Sequence, residues 1–137
     1  MNQDIGETNY NRWNKVKINL SSDKKVRLFK ERDIFFIKMG HNIGYEQNGK
    51  GDDFVRPIVV LKKITKDMFI GVPLSTKVKG GSWFFKFSFT RHEKEIQNVA
   101  ILPQIRMFSS KRLLNKIGVI PSESFKNLKI EIKEFML

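Results

Sequence analysis

The residues best equipped for chemistry stand at the two ends of one strand pair. Arg56-Pro57 opens an apolar, β-branched run over residues 57–64, and Pro73-Leu74-Ser75-Thr76-Lys77 closes the next, over residues 68–74. Only Thr65-Lys66-Asp67 separates the two runs, so they fold back as a hairpin and the start of one lies beside the end of the other. A guanidinium, two hydroxyls and an ammonium then share one rim. Such a set suits a phosphodiester, because arginine grips it through two parallel hydrogen bonds and serine or threonine hydroxyls take the remaining oxygens. The chain reaches Arg56 through residues 40–51, a glycine-rich polar segment that carries His41, Tyr45, Glu46 and Gln47. Each residue also has a plainer reading. Arg56 could pair with Asp52 or Asp53, Ser75 and Thr76 could serve only the turn after a strand, and Lys77 and Lys79 could be exposed turn lysines that add general attraction for phosphate.

Other chemistries find no support. Cysteine is absent, which excludes disulfides, thiolate metal sites and a cysteine nucleophile. His41 and His92 are far apart and fit no zinc-binding spacing, and Asp52-Asp53 reads as a solvated pair rather than a cation site. No phosphate-loop, dinucleotide-binding or serine-hydrolase motif is present. Neither a metal nor a cofactor is expected. The formal net charge is +12, from 26 Lys+Arg against 14 Asp+Glu, which points to a polyanion partner. Residues 1–30 contribute +4, residues 31–80 +3 and residues 81–137 +5, so a folded basic surface fits better than a basic tail. The amino terminus lacks a signal-peptide pattern, and no apolar run is long enough to span a bilayer. The expected location is the cytoplasm, with no membrane partner.

The elements that must hold this rim read as mainly β. The 137 residues suffice for one core. The spacing of residues 7–20 predicts an amphipathic helix with Trp13, Val16 and Leu20 on one face, an appendage to the main fold. Strands are expected over residues 32–39, 57–64, 68–74, 83–89 and 99–107. In the fourth, Phe85, Phe87 and Phe89 alternate with Lys86 and Ser88, so most of its aromatics belong inside. Pro103 places the fifth at an edge or bulge. Ser109 or Ser110 caps a short helix running to Lys116, with Gly118 at its end, and Ser122 caps a last helix on which Phe125, Leu128, Ile132 and Phe135 share a face. His92 sits in a solvated turn without a role. Five short strands close most simply as a small SH3-like antiparallel barrel with flanking helices, and the segment from Gly40 to Arg56 becomes a long functional loop. The expected organisation is an N-terminal helical extension over residues 1–30 and a barrel domain with its C-terminal helix over residues 31–137.

Several short runs, taken in order and spacing, resemble one family. They are Arg32-Asp33-Ile34, Gly44-Tyr45-Glu46-Gln47, Arg56-Pro57-Ile58-Val59-Val60-Leu61, Val72-Pro73-Leu74-Ser75-Thr76, Leu102-Pro103-Gln104-Ile105-Arg106 and Ser109-Ser110-Lys111-Arg112-Leu113. Together they are similar to the MazF/PemK toxins of type II toxin–antitoxin modules, over residues 31–137. The resemblance implies a CcdB/PemK-like barrel that dimerises, and a metal-independent endoribonuclease acting on single-stranded RNA. In that family the ribose 2′-OH attacks its own phosphate, leaving a 2′,3′-cyclic phosphate and a 5′-OH, and the tail of a cognate antitoxin blocks the RNA site. DNA would be met only through the antitoxin. The family's arginine falls on Arg56, which the resemblance makes a stabiliser of transition-state charge. Its threonine falls on Ser75, with Thr76 following. Tyr45, Glu46, Gln47, Lys77, Lys79, Gln104 and Arg106 are then expected to contact RNA or support the site. Some members carry an Asp before the glutamine and a His in the loop. Those places hold Pro103 and Tyr45 here, so an Asp–His acid–base scheme does not carry over; Glu46 and His41 remain candidate proton carriers, and Tyr45, on the polar loop, is a candidate for base stacking. Two other readings compete: a binding toxin like the gyrase poison CcdB, disfavoured because the chain ends Glu134-Phe135-Met136-Leu137 without that protein's terminal tryptophan, and a nucleic-acid-binding module without catalysis.

Overall fold

The computed structural model describes residues 28–39, 55–77 and 80–137. The expected helix over residues 7–20 and almost all of the long loop lie outside them. Seven strands and one long helix are present among the described residues: β1 (Asp33–Lys38), β2 (Val55–Thr65), β3 (Met68–Ser75), β4 (Phe84–Arg91), β5 (Lys94–Ile101), β6 (Arg106–Ser109), β7 (Leu113–Val119) and α1 (Ser122–Met136). Every pairing is antiparallel, in the order β4-β5-β3-β2-β1-β7, with β6 also on β3.

β1 and β2 are apolar at consecutive positions because both faces of the sheet are covered. Successive side chains on a strand point to opposite faces. On one face Ile34, Val59, Val72, Leu74, Phe87, Phe89 and Ile117 meet Phe125, Leu128 and Ile132 of α1. On the other, Phe35, Ile37, Ile58, Val60, Phe69, Phe108 and Leu113 form a second cluster with Phe29. Phe69 lies at its centre, 5.2 Å from the Phe29 ring and 5.7 Å from that of Phe108. The start of β1 is tied to its neighbours by Arg32. Its N–H donates to the Val60 carbonyl, its own carbonyl accepts from Ile120, and its Nε donates to the Ile120 carbonyl, at 2.9–3.0 Å. These bonds offset the left-handed φ of +82° that Arg32 adopts. Beside it, buried Asp33 accepts from the Lys30 N–H and faces the Lys116 ammonium at 3.0 Å.

The sheet curls because one edge of β3 serves two partners. Met68 to Gly71 pair with β6, and Leu74 and Ser75 pair with β5. Gly71 stands at the changeover, where a Cβ would lie 2.5 Å from Ile58 Cδ1 and 2.9 Å from Phe69 Cε2. The curl brings the outer strands together: a Cβ on Gly118 of β7 would lie 2.5 Å from the Phe89 ring of β4. No ladder joins β4 to β7 among the described residues, so the barrel is strongly curled but open. Among these residues no helix is long and apolar enough to cross a membrane.

The first three strands and the hairpin turn lie close to where the residue pattern puts them. The run over residues 99–107 does not form one strand. β5 begins earlier, at Lys94, and the chain then makes a 3₁₀ turn over Leu102–Gln104 before β6. Pro103 lies in the first turn of that element, where its fixed φ and missing N–H cost nothing. The short helix expected from Ser109 to Lys116 is also absent. Ser109 does cap, accepting from the Lys111 N–H, but only a 3₁₀ turn over Ser110–Arg112. The chain continues as β7 because β1 offers an unpaired edge and Leu113 and Ile117 have cores to enter. Gly118 is thus a strand residue against Phe89. The α1 N-cap is Pro121, not Ser122, and no side chain caps it. Phe87 and Phe89 are buried as expected, Phe84 and Phe85 partly so, and Trp83 is 60% exposed outside the strand.

Gly71→Ala should destabilise the fold by about 1–3 kcal/mol, because buried Ile58 and Phe69 must give way. A urea midpoint that falls at unchanged slope is the expected result, and a wild-type midpoint would remove Gly71 from its place in the curl.

Candidate functional site

Arg56 is the second residue of β2 and pairs with Ile37 of β1. The β2–β3 register ends at Ile58 opposite Pro73. Followed two residues further, it brings Arg56 level with Ser75. The hairpin geometry therefore delivers the guanidinium and the hydroxyls to one rim. A cleft of about 270 Å³ opens there. Arg56, Ser75 and Thr76 line it together with Arg91 and Asn98, and its apolar walls are Phe36, Leu74, Phe89, Ile96 and Ile117. The lining residues, Arg56 included, come from six strands, which converge only because the sheet curls.

Arg56 is 8% exposed, and its Nη1 is fully buried without a hydrogen-bond partner among the described residues. Desolvation lowers its pKa from the ordinary arginine value. An arginine nevertheless keeps its proton in a protein, so Arg56 presents a poorly solvated positive charge rather than an acid. Such a charge acts strongly on a nearby anion, since little water screens it. No Asp or Glu is among the described lining residues. Asp52 and Asp53, the alternative partners, lie outside the described residues.

Ser75 ends β3, and its Oγ accepts from the Lys77 N–H at 3.1 Å. This turn contact leaves the hydroxyl proton of Ser75 available, because an accepting hydroxyl still has its own proton to donate. Thr76 is exposed on the cleft, and Lys77 is exposed just beyond it. Asn98 is 3% exposed, and its Nδ2 donates to the Ile96 carbonyl at 3.3 Å. Arg91 ends β4 with its guanidinium 5.3 Å from the centre of the Phe36 ring.

Gln104 and Arg106 do not line this cleft. Gln104 closes the 3₁₀ turn, half-buried, and Arg106 opens β6 opposite Gly71, its guanidinium 4.8 Å above Phe108. Arg106 lies near enough to Arg112 to lower that residue's pKa, after the larger effect of burial. Arg112 Nη1 donates to the Lys38 and Met39 carbonyls at 3.2 and 3.4 Å, where β1 runs out. His41, Tyr45, Glu46, Gln47 and Lys79 lie outside the described residues.

Reading the sequence missed Arg91 and Asn98. Arg91 looks like any surface cation at the end of an aromatic strand. A weak signal marked Asn98, as a polar residue leading the apolar run Val99-Ala100-Ile101-Leu102.

Residues 30–136 match the PemK-like, MazF-like toxins of type II toxin–antitoxin systems. No curated protein matches the chain. Among solved structures, MazF from Deinococcus radiodurans superposes with a TM-score of 0.61 at 16% identity, over 80% of this chain and 96% of that one. The Mycobacterium tuberculosis toxin MazF-mt6 gives 0.56 at 16%, over 77% and 98%. A mycobacterial endoribonuclease in complex with its cognate antitoxin gives 0.56 at 8%, over 80% and 95%. At such identities the structures establish likeness of fold. The family match spans most of the chain, every strand described and the whole cleft, and the chain belongs to the PemK-like, MazF-like toxins of type II toxin–antitoxin systems.

Proposed function

We propose that this toxin is a metal-independent endoribonuclease that cuts single-stranded RNA at selected sequences. The observation that carries the reading is the buried Arg56 guanidinium with an unpartnered nitrogen, in a cleft that also holds two hydroxyl side chains. A buried donor without an acceptor costs stability, and a phosphodiester supplies the missing acceptor. The ribose 2′-OH attacks the adjacent phosphorus, the bond to the 5′-oxygen breaks, and negative charge grows on the non-bridging oxygens in between. Arg56 stabilises that charge, and the Ser75 or Thr76 hydroxyl donates to one of the same oxygens. The 2′ proton must leave and the 5′-oxygen must gain one. Glu46 and His41 are the candidates for those transfers.

The organisation that goes with this activity is a barrel domain over residues 31–137 with an extension over residues 1–30. The toxin pairs with a second copy of itself in the cytoplasm, and a cognate antitoxin inhibits it. Support for that partner comes from the fold shared with an endoribonuclease bound to its antitoxin. Tyr45, Gln47, Lys77, Lys79, Gln104 and Arg106 extend RNA contact beyond the cleft, so that the net charge of +12 steers the strand inward.

Purified protein should cleave single-stranded RNA in the presence of EDTA and leave 2′,3′-cyclic phosphate ends, which end mapping detects together with the sequence cut. Salt-dependent binding without turnover would point to the non-catalytic module instead. Arg56→Met keeps the apolar stem and removes the charge. It should lower kcat by about 10²- to 10³-fold while the unliganded fold is unchanged or stabilised by about 1–2 kcal/mol. A strongly destabilised variant would make Arg56 a structural residue. The double variant Ser75→Ala, Thr76→Ala should lose about ten- to a hundredfold in rate, the worth of one charge-assisted hydrogen bond, and full activity would remove both hydroxyls from the site.

A further inference from the structure

The cleft holds a second cation that the hairpin chemistry leaves unused. Arg91 is half-buried on the cleft wall, where its guanidinium lies against the Phe36 ring. Phe36 packs against the main core and is itself part of the wall. The backbone fixes where Arg91 begins. It pairs with Lys94 across a two-residue turn, and the turn residues His92 and Glu93 have φ of 52° and 65°. Tight hairpins of this shape normally recruit asparagine and glycine, because other residues are strained there. A guanidinium above a ring keeps its donor edge available while the ring restricts its motion.

Arg56 and Arg91 approach the cleft from different sides. Arg56 is directly opposite Ile37, whose side chain belongs to the second cluster, whereas Arg91 stacks on Phe36, the preceding residue, which faces the main core. Neighbouring residues on a strand point to opposite faces. Two cations set apart in this way, with no acid among the described lining residues, suit two successive phosphates of one strand better than a single phosphate.

Resting on the endoribonuclease reading, we propose that Arg91, supported by Phe36, binds a non-scissile phosphate of the RNA and holds the strand in register while Arg56 acts at the scissile one. Arg91 then governs affinity rather than the rate of the bond-breaking step. The test uses the full chain and two single-stranded RNAs carrying the mapped cleavage site, one cleavable and one with a 2′-deoxy nucleotide at the cut position. Arg91→Gln should raise KM and the Kd for the uncleavable strand by about tenfold and leave kcat within about twofold. It should also reduce the salt slope of log Kd by about 0.7, as expected when one phosphate of a single strand is no longer neutralised. Arg91→Lys, which keeps the charge, should retain the wild-type salt slope. Lys94→Gln, across the hairpin and off the cleft, should bind as the wild type does. If the wild type cuts RNA but Arg91→Gln keeps its KM and slope, the inference is overturned alone. It is equally overturned if Lys94→Gln weakens binding as much, or if Arg91→Gln loses kcat with KM unchanged. A wild type that neither binds nor cuts RNA overturns the functional reading, and this inference with it.

Discussion

The edge of β3 that faces away from β2 is hydrogen-bonded to β6 at one end and to β5 at the other. The sheet bends between the two partners, and the bend brings β7 against β4. Gly71 is where the bend is made, with Ile58 and Phe69 filling the space a side chain would need. From that bend follow the two-sided burial of β1 and β2, the approach of β7 to β4, and the pairing of Ser75 with Val99 that carries β5 to the rim. A flat sheet would leave Arg56 and Arg91 far apart.

The curl also creates the electrostatic character of the cleft. Its apolar walls are the outer residues of the main core, so a charge at the rim is partly removed from water without being enclosed. Arg56 shows the consequence, with a lowered pKa and an unpartnered nitrogen. Such a group opposes folding and favours binding, since an anion recovers more free energy from a dry cation than from a hydrated one. The ion pair of Asp33 with Lys116 and the three hydrogen bonds of Arg32 anchor the same strands at their other end. The family-like run Arg32-Asp33-Ile34 is therefore a staple of the fold rather than part of the rim.

Local pattern made β1, β2 and β3 legible, along with the hairpin that sets Arg56 near Ser75. Each is a short apolar run bounded by turn residues, and their contacts are close in sequence. Where contacts are distant, the pattern misled. A serine cap at 109 or 110 and Gly118 read as the two ends of a short helix reaching Lys116, but the open edge of β1 and the two cores draw residues 113–119 into β7. Residues 99–107 look like one apolar strand, yet the chain leaves β5 and joins a different stretch of β3, with Pro103 turning the corner. Arg91 escaped notice for the same reason. Its significance lies in Phe36, a residue on another strand and far off in the chain.

Residue type and spacing, by themselves, determined the family likeness, the mainly β class and the meeting of Arg56 with Ser75 and Thr76 at one rim. Those properties depend on side-chain chemistry and on one short hairpin. Tertiary structure alone decided that Arg56 is buried without a partner for Nη1, that Asn98 and Arg91 share its cleft, and that Gln104 and Arg106 stand outside it. Desolvation and convergence are properties of packed surfaces. They arise when strands remote in sequence curl around one core, and no local spacing encodes them.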